Sequence, residues 1–556
     1  VPFRWPGIVT RQALNDQDTA EPGHAPKVQT QKAALYTRLR DGLLRRRRPE
    51  ATVQRAFPGW MKTERRTSHV TSGQLISVIM PAYRTPHDLL LAAITSVRTQ
   101  SYRSWELCVA HDGSASMQVL AVNAAMDRRI RPIRQTANGG IAAATNDALS
   151  IATGEFVAFL DHDDQLAPQA LARIAAELAA YPQTDLIFSD EDQLLHKEED
   201  LLTDDGTPED GSRSMPYFKP GWNPDLMLGQ NLICHLAVYR RSLIQTLGGF
   251  RPDFDGSQDY DLALRAIAHG ARIRHIPEIL YHWRKTDFSF SLHRAEACEH
   301  AARRALAEHL GQAGTPVPHQ AAPQWTRVAF PLPPDRPKLS LILPPGSTAP
   351  DDPDYPGVEI LHGEPNAMAD AATGHILVFL GRGLGPATPG WLAELAAQAL
   401  RPEIACVGGR IDSPNGRILQ SGLTLHPEHI ALTLHPGSDA ADPGYRGQFL
   451  LPRTVSAVSA QCLAIRRDHF LAAGGLTAEL GPYADVDLCL RMAQKNLRCV
   501  WTPHARLQGR IAPIKPAPGA AALMRARWGA LLAADPYFNP NLAITAGTLT
   551  LATRPP

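Results

Sequence analysis

The sequence predicts an α/β protein with two tandem domains on mostly parallel sheets and a helical amino-terminal extension. Three observations carry this. Between residues 73 and 310, β-rich apolar runs alternate with segments of helical spacing, the order that yields a parallel sheet with crossover helices. The succession then restarts. ATGHILVFLGRGLGP (372–386) repeats ATGEFVAFLDHDDQL (152–166), with Gly374 for Gly154 at an offset of 220; AGGLTAELGPYADVDLCLR (473–491) repeats LGGFRPDFDGSQDYDLALR (247–265), with Gly475 for Gly249 at an offset of 226. A period above 200 residues means duplicated domains, not a solenoid. Finally, TPVPHQAAPQWTRVAFPLPPDRPK (315–338) is dense in proline, as an extended linker would be. The predicted divisions are 1–72 (basic helical extension), 73–314 (first domain), 315–337 (linker), 338–515 (second domain) and 516–556 (carboxyl-terminal helix and tail).

Each element has a local reason. QKAALYTRLRDGLLRRRR (31–48) places Leu35, Leu39 and Leu43 on one side of a helix that ends in arginines. Such a helix can lie on an anionic membrane surface; the ordinary reading is a solvated helix packed on the next domain. LISVIMPAY (75–83) reads as a strand, HDLLLAAITSVRTQ (87–100) as a helix and WELCVAHDGS (105–114) as a strand entering a turn. IAAATNDALSIAT (141–153) is helical, and EFVAFL (155–160) is a strand that ends in Asp161, His162, Asp163 and Asp164. In open sheets of this order, ligands bind beyond the strand carboxyl ends, where DGS and DHDD both fall.

Of 556 residues, 20% are charged and the net charge is +1, which points to no nucleic-acid partner. Residues 1–72 hold 14 Lys/Arg against 6 Asp/Glu, so the basic character is local. Seven cysteines without a CxxC pair read as reduced, buried thiols of a cytosolic protein. No apolar run reaches the ~18–20 residues of a membrane span, and VPFRWPG lacks the order of a signal peptide.

Three acid sites fall at strand ends or loops of the first copy: Asp112, the 161–164 cluster, and Asp259 with Asp261. Carboxylates gathered in one pocket repel one another, and a divalent cation that also binds a diphosphate relieves the repulsion. The competing reading of DHDD is a set of capping acids before the helix at 168–178.

Further segments decide between these. PAY (81–83), SVRTQSYRSWEL (96–107), HDGS (111–114), NGGIAAATNDAL (138–149), FSDEDQL (188–194), KPGWNPDL (219–226), NLICH (231–235), SQDYDL (257–262) and LYHWR (280–284) follow in order. Together with DHDD they make residues 75–290 resemble the catalytic domain of glycosyltransferase family 2, inverting enzymes of the GT-A fold. The tandem layout resembles bacterial members that build surface polysaccharides. The resemblance implies a nucleotide diphosphate-sugar donor, a glycan or lipid-linked glycan acceptor, and Mn²⁺ or Mg²⁺ as cofactor. It implies that Pro81, Tyr83, Asp112 and Asp161 hold the nucleotide-sugar, that Asp163 binds the metal with His282 as a further ligand, and that Asp259 is the general base. It implies a cytoplasmic enzyme, with the basic helix suited to peripheral contact at the inner membrane face, and leaves self-association open. Two positions depart from the family pattern: His111 stands where a first Asp is common, and Thr145 where Arg is usual.

In the second copy Asp161 and Asp163 become Gly381 and Gly383, Gln258 becomes Ala484 and His282 becomes Gln508, whereas Asp485 and Asp487 survive. A folded but catalytically silent domain is expected, with Asp485 a cap rather than a base. GRGLG could still hold an anion through backbone N–H groups and Arg382. Trp391, Tyr445, Trp501 and Trp528 are either core residues or sugar-stacking platforms. A non-catalytic glycan- or nucleotide-binding scaffold is the alternative function. A glycoside hydrolase would need two opposed carboxylates and no metal.

Overall fold

The structure is a computed structural model. It describes residues 48–64, 70–111, 117–135, 138–194, 213–285, 294–350, 352, 354–511, 518–545 and 547–553. Residues 31–47 of the helix predicted at 31–48 and the candidate Asp112 lie outside the described residues.

Helix α1 (Pro49–Met61) precedes the first sheet. That sheet uses β1 (Ile76–Ala82), β2 (Trp105–His111), β3 (Ile130–Arg134), β4 (Phe156–Phe159), β5 (Gln165–Leu166), β6 (Leu186–Leu194), β7 (Arg213–Tyr217), β8 (Ala237–Arg240) and β9 (Ile273–Arg284). Their order is β3-β2-β1-β4-β8-β6-β9-β5, with β7 beside β6. β3, β2, β1 and β4 are mutually parallel, β8 enters antiparallel to both β4 and β6, and β6 and β9 are again parallel. Both faces are covered, which is why the strands read as unbroken apolar runs. Ile76, Val78 and Met80 of β1 pack into one core, and Ile79 points into the other.

The second sheet repeats this plan. Its strands are β12 (Leu339–Leu343), β13 (Glu359–His362), β14 (Ile376–Leu380), β15 (Leu384–Pro386), β16 (Ile404–Asp412), β17 (Ile418–Gln420), β20 (Arg453–Val455), β21 (Cys462–Arg466) and β22 (Arg498–Gly509), in the order β13-β12-β14-β21-β16-β22-β15 with β17 beside β16 and β20 beside β22, while β18 (Leu423–His426) and β19 (Ile430–Thr433) form a separate two-stranded sheet. Polar anchors repeat as well. Gly154 N donates to Ser77 Oγ, which donates to Glu106; Gly374 N donates to Ser340 Oγ, which donates to Glu359. Asn146 exchanges two hydrogen bonds of 2.8 and 2.9 Å with the backbone of Phe250, and Asn366 two of 2.9 Å with Leu476.

One segment departs from expectation. The stretch at 315–337 is not simply extended. β10 (Thr315–Pro318) and β11 (Thr326–Ala329) form an antiparallel hairpin, and Ala322, Trp325 and Val328 are buried in a first-domain core. Proline allows this because the pair is an edge ribbon of only two strands. The tail at 516–556 packs on both domains. A helix at Ala520–Ala533 buries Met524, Trp528 and Leu532 in a second-domain core. The chain then crosses back, and the hairpin of β23 (Leu542–Thr545) and β24 (Thr548–Leu551) buries Leu542, Leu549 and Leu551 in the same first-domain core as Phe57 and Trp60 of α1. On the way it passes so close to Gly221 that a Cβ there would lie 2.1 Å from Pro536 O, a place only glycine can occupy.

None of the helices among the described residues is long and apolar enough to cross a membrane. All seven cysteines are free, six of them buried. Trp391, Tyr445, Trp501 and Trp528 are core residues, each at most 4% exposed, which rules out the sugar-stacking reading for them.

Candidate functional site

Three chain features meet at the carboxyl ends of the parallel strands. β1 runs out into Tyr83 and Arg84, and β4 runs out into Asp161–Asp164. The helix at Gln258–Ala268 starts at the rim and carries Asp259 in its first turn. They border a cleft of about 730 Å³, lined by Pro81, Tyr83, Asp161, Asp163, His235 and Asp259 among others. Four of the residues expected to serve the nucleotide-sugar or the chemistry (Pro81, Tyr83, Asp161 and Asp259) therefore share one cavity, and so does the expected metal ligand Asp163. Tyr83 stands at the mouth, 44% exposed, with the Arg84 guanidinium 5.2 Å from its ring centre.

The acids play different parts. Asp164 is buried. Its Oδ2 accepts from Tyr281 OH at 2.6 Å and its Oδ1 from the Arg284 backbone N–H at 2.6 Å, so it braces the loop. Burial holds its carboxyl well above the ordinary range, Asp163 and Asp161 push it further, and the two hydrogen bonds oppose. Asp161 is also raised. Depth among protein atoms is the chief cause, although 45% of its side-chain surface still faces the cleft; Asp163 and Asp259 add to the shift, while His235 and His162 oppose it. Asp259 accepts from Asn231 Nδ2 at 2.9 Å, which fixes one carboxylate oxygen. Asp261 serves the fold, since it ion-pairs with Arg251 and with Arg265 one helical turn on, as Asp487 does with Arg491 in the second copy.

Two imidazoles stand beside these acids, His162, whose Nδ1 lies 3.9 Å from Asp163 Oδ1, and His235, whereas His282 does not. His235 Nε2 lies 3.9 Å from Asp161 Oδ2, its ring stacks on Tyr281 at 4.7 Å, and Glu191 Oε2 holds its Nδ1 at 3.2 Å and its backbone N–H at 2.6 Å. Burial alone would raise Glu191, but Lys219 and His235 outweigh it and bring the carboxyl down to about 2. Glu191 is therefore an anion that orients the ring. Side chains of a strand alternate between faces. Along β9, Tyr281 and Trp283 face the cleft side, which turns His282 to the other. There His282 Nδ1 lies 2.5 Å from Asp192, which also pairs with Arg213, and Arg213 in turn with Glu64. The structure thus places His282, the expected metal ligand, away from the cleft acids and His235 beside them. Thr145, at the usual Arg position, turns back to donate to Ile141 O at 2.7 Å.

Asp161, Asp163 and His235 fit a divalent cation, with Asp164, whose two oxygens already accept from Tyr281 and Arg284, close behind them. One oxygen each from Asp161 and Asp164 and one nitrogen of His235 lie within 4.8 Å of one another, with Asp163 also on the cleft wall. Mixed carboxylate and imidazole ligands suit Mn²⁺, and a carboxylate behind the imidazole is the usual support for a ligating histidine.

In the second copy a Cβ on Gly381 would lie 1.9 Å from Gln461 Oε1, at the end of a side chain that would have to turn away, and Gly383 holds a left-handed φ of +72°. Arg382 donates to Pro345 O at 2.6 Å. Asp485, the counterpart of Asp259, accepts from the Ala460 N–H at 2.8 Å, and burial raises it to about 6.

Fold and cleft together define an α/β domain that gathers acids and an oriented histidine beyond the ends of parallel strands. Residues 77–248 match Glycosyl transferase family 2. The chain carries a family 2 glycosyltransferase domain. It is 34% identical to the uncharacterized protein y4gI of Sinorhizobium fredii over 551 residues, 86% of this chain and 59% of that protein. It is 30% identical to the O-antigen biosynthesis protein RfbC of Myxococcus xanthus over 577 residues, 90% of this chain and 43% of that protein. The chain thus spans about half the length of these relatives. Among solved structures, TarS 1–349 of S. aureus in complex with UDP-GlcNAc aligns at 20% identity and a TM-score of 0.33, covering 42% of this chain and 66% of that one.

Proposed function

We propose that the protein is an inverting, metal-dependent glycosyltransferase that moves a sugar from a nucleotide diphosphate-sugar to a hydroxyl of a glycan acceptor. The observation that carries this reading is the shared cleft, in which Asp259, fixed by Asn231, stands across from Asp161, Asp163 and His235. Pro81 and Tyr83 hold the nucleoside end, together with Asp112. Asp161, Asp163 and His235 would hold a divalent cation, which would supply charge neutralisation for the departing diphosphate. Asp259 takes the proton of the acceptor hydroxyl as its oxygen bonds to the anomeric carbon. The bond from that carbon to the diphosphate oxygen breaks, and its electron pair leaves with the nucleotide. Attack opposite the leaving group inverts the configuration.

The second domain is catalytically silent in this reading. The name of the M. xanthus relative favours a polysaccharide or lipid-linked acceptor. A cytoplasmic site with the basic segment 31–48 against the inner membrane face accords with both.

The test is a thermal-shift and hydrolysis panel of nucleoside diphosphates and their sugars, with Mn²⁺ and with EDTA. One donor is expected to stabilise the protein, with release of the nucleotide only when metal is present; stabilisation undiminished by EDTA overturns the metal dependence. A second measurement separates the histidines. His235→Ala is expected to weaken Mn²⁺ binding, followed by electron paramagnetic resonance, by about 10–100-fold. His282→Ala should leave Mn²⁺ affinity near the parent value and instead lower thermal stability, because Asp192 loses a buried partner. The reverse pattern reinstates His282.

A further inference from the structure

The loop that carries Asn231 and His235 is held from below by groups that the transfer reaction does not use. Lys219 is fully buried, and its Nζ donates to the carbonyls of Cys234 at 3.1 Å and His235 at 2.5 Å. The same Nζ lies 3.7 Å from Glu191, the carboxylate that orients His235. Lys219 is itself held. Its backbone N–H donates to Asp190 Oδ1 at 2.9 Å, and that oxygen also meets His275 Nε2 at 2.8 Å. The remaining Asp190 oxygen and the Lys219 carbonyl are both taken by one side chain from the far end of the sequence. Asn539 Nδ2 donates to Asp190 Oδ2 at 2.8 Å and to Lys219 O at 2.7 Å, while its Oδ1 accepts from Asn541 N at 2.9 Å. All three polar atoms of this site are buried, with Asn539 only 1% exposed.

We infer that Asn539 is a positioning residue for the cleft, by which the tail leaving the second domain fixes Asp190 and Lys219 and, through them, the loop bearing Asn231 and His235. The assignment rests on the reading of the cleft as a transfer site only for what the positioning serves. An amide is the side chain this place requires. It offers two donors to two acceptors and one acceptor to a backbone donor, whereas aspartate would set a second carboxylate against Asp190. The path from Asn539 runs through Lys219 and Glu191 to His235 without a break, and His235 Nε2 faces Asp161 at 3.9 Å. The second domain grips the same segment further on, where Asn223 and Thr454 exchange bonds of 2.8 and 2.9 Å. This gives the duplicated domain a role that needs no ligand of its own.

The test is hydrogen exchange by mass spectrometry on the full chain, with Asn539→Ala and, as control, Asn541→Ala, which loses only its bond to Pro277 O. Asn539→Ala should speed exchange in peptides covering 229–236 by about tenfold, from the loss of a doubly bonded buried partner. Peptides covering 376–380 of the second sheet should be unchanged. The imidazole ¹⁵N signals of His235, assigned by their absence in His235→Gln, should shift in Asn539→Ala and not in Asn541→Ala. Unchanged exchange at 229–236, an equal acceleration in Asn541→Ala, or unmoved His235 signals each overturn the inference. If Asn539→Ala does not fold, Asn539→Ser, which keeps one donor, is expected to show a smaller acceleration at the same peptides, and no acceleration sinks the idea. None of these readouts uses a sugar donor. Localised acceleration in a protein that transfers no sugar would keep the inference and remove the proposed function.

Discussion

Asp259→Asn is expected to lower transfer by about 10²–10⁴-fold while the protein keeps its fold and its donor affinity. The substitution keeps shape, and an amide oxygen still accepts from Asn231 Nδ2, so the helix start and the cleft wall stay where they are. What disappears is the group that can take a proton from the acceptor. Because the Asp259 charge is one of the influences raising Asp161, its removal does not hinder ionisation of that carboxylate, and metal-dependent donor binding should hold. The effect should therefore fall on kcat with little change in donor KM. Asp485→Asn is the matched control. Asp485 occupies the equivalent place in the second copy but is engaged with the Ala460 N–H, so turnover should not change. Parent-level transfer by Asp259→Asn would remove the base from the mechanism.

Asp225→Ala is expected to destabilise the protein by about 1–3 kcal/mol, read at the first unfolding transition. Asp225 is buried on the first domain and pairs with two cations of the second, Arg401 at 2.7 Å and Arg498 at 3.3 Å, besides accepting from Thr454 Oγ1 at 2.5 Å. Truncation leaves the two guanidinium groups with Glu403 as their remaining anion, 2.9 Å from Arg401 and 3.3 Å from Arg498, and removes the Thr454 bond, and the loss of these buried partners is the source of the destabilisation. Burial alone would raise Asp225, but Arg401, Arg498 and the hydrogen bonds outweigh it and hold the carboxyl below its ordinary range. A depressed folded pKa means the contribution is complete above the unfolded value and is lost as pH falls through the folded one. The gap between parent and variant should therefore narrow on acidification. An unfolding midpoint unchanged at neutral pH would show that the contact between the domains does not carry stability.

Much of this architecture was legible in the residues. β1, β2 and β4 and the helices between them follow from apolar runs and their spacing, because a sheet covered on both faces imposes that pattern locally. The duplication was legible from the repeated glycines, whose counterparts Asn146 and Asn366 make the same clamp in each copy. The cleft residues Pro81, Tyr83, Asp161, Asp163 and Asp259 were legible as strand-end and helix-start positions. NLICH was visible as a segment, but nothing in its composition singled out His235.

Sequence alone thus determined the α/β class, the two copies, the loss of acids at Gly381 and Gly383, and the set of groups at the strand ends. These are properties of short stretches, where a few neighbouring side chains decide the outcome. Only the tertiary structure decided which histidine faces the acids, since the alternation of β9 has a face only once Tyr281 is seen against Asp164. It alone decided that a proline-rich stretch closes a core and that the tail returns to bond Asp190 and Lys219. Contacts between residues more than 300 positions apart depend on how the two domains dock, and that docking is a sum of many small complementary surfaces that no single segment encodes.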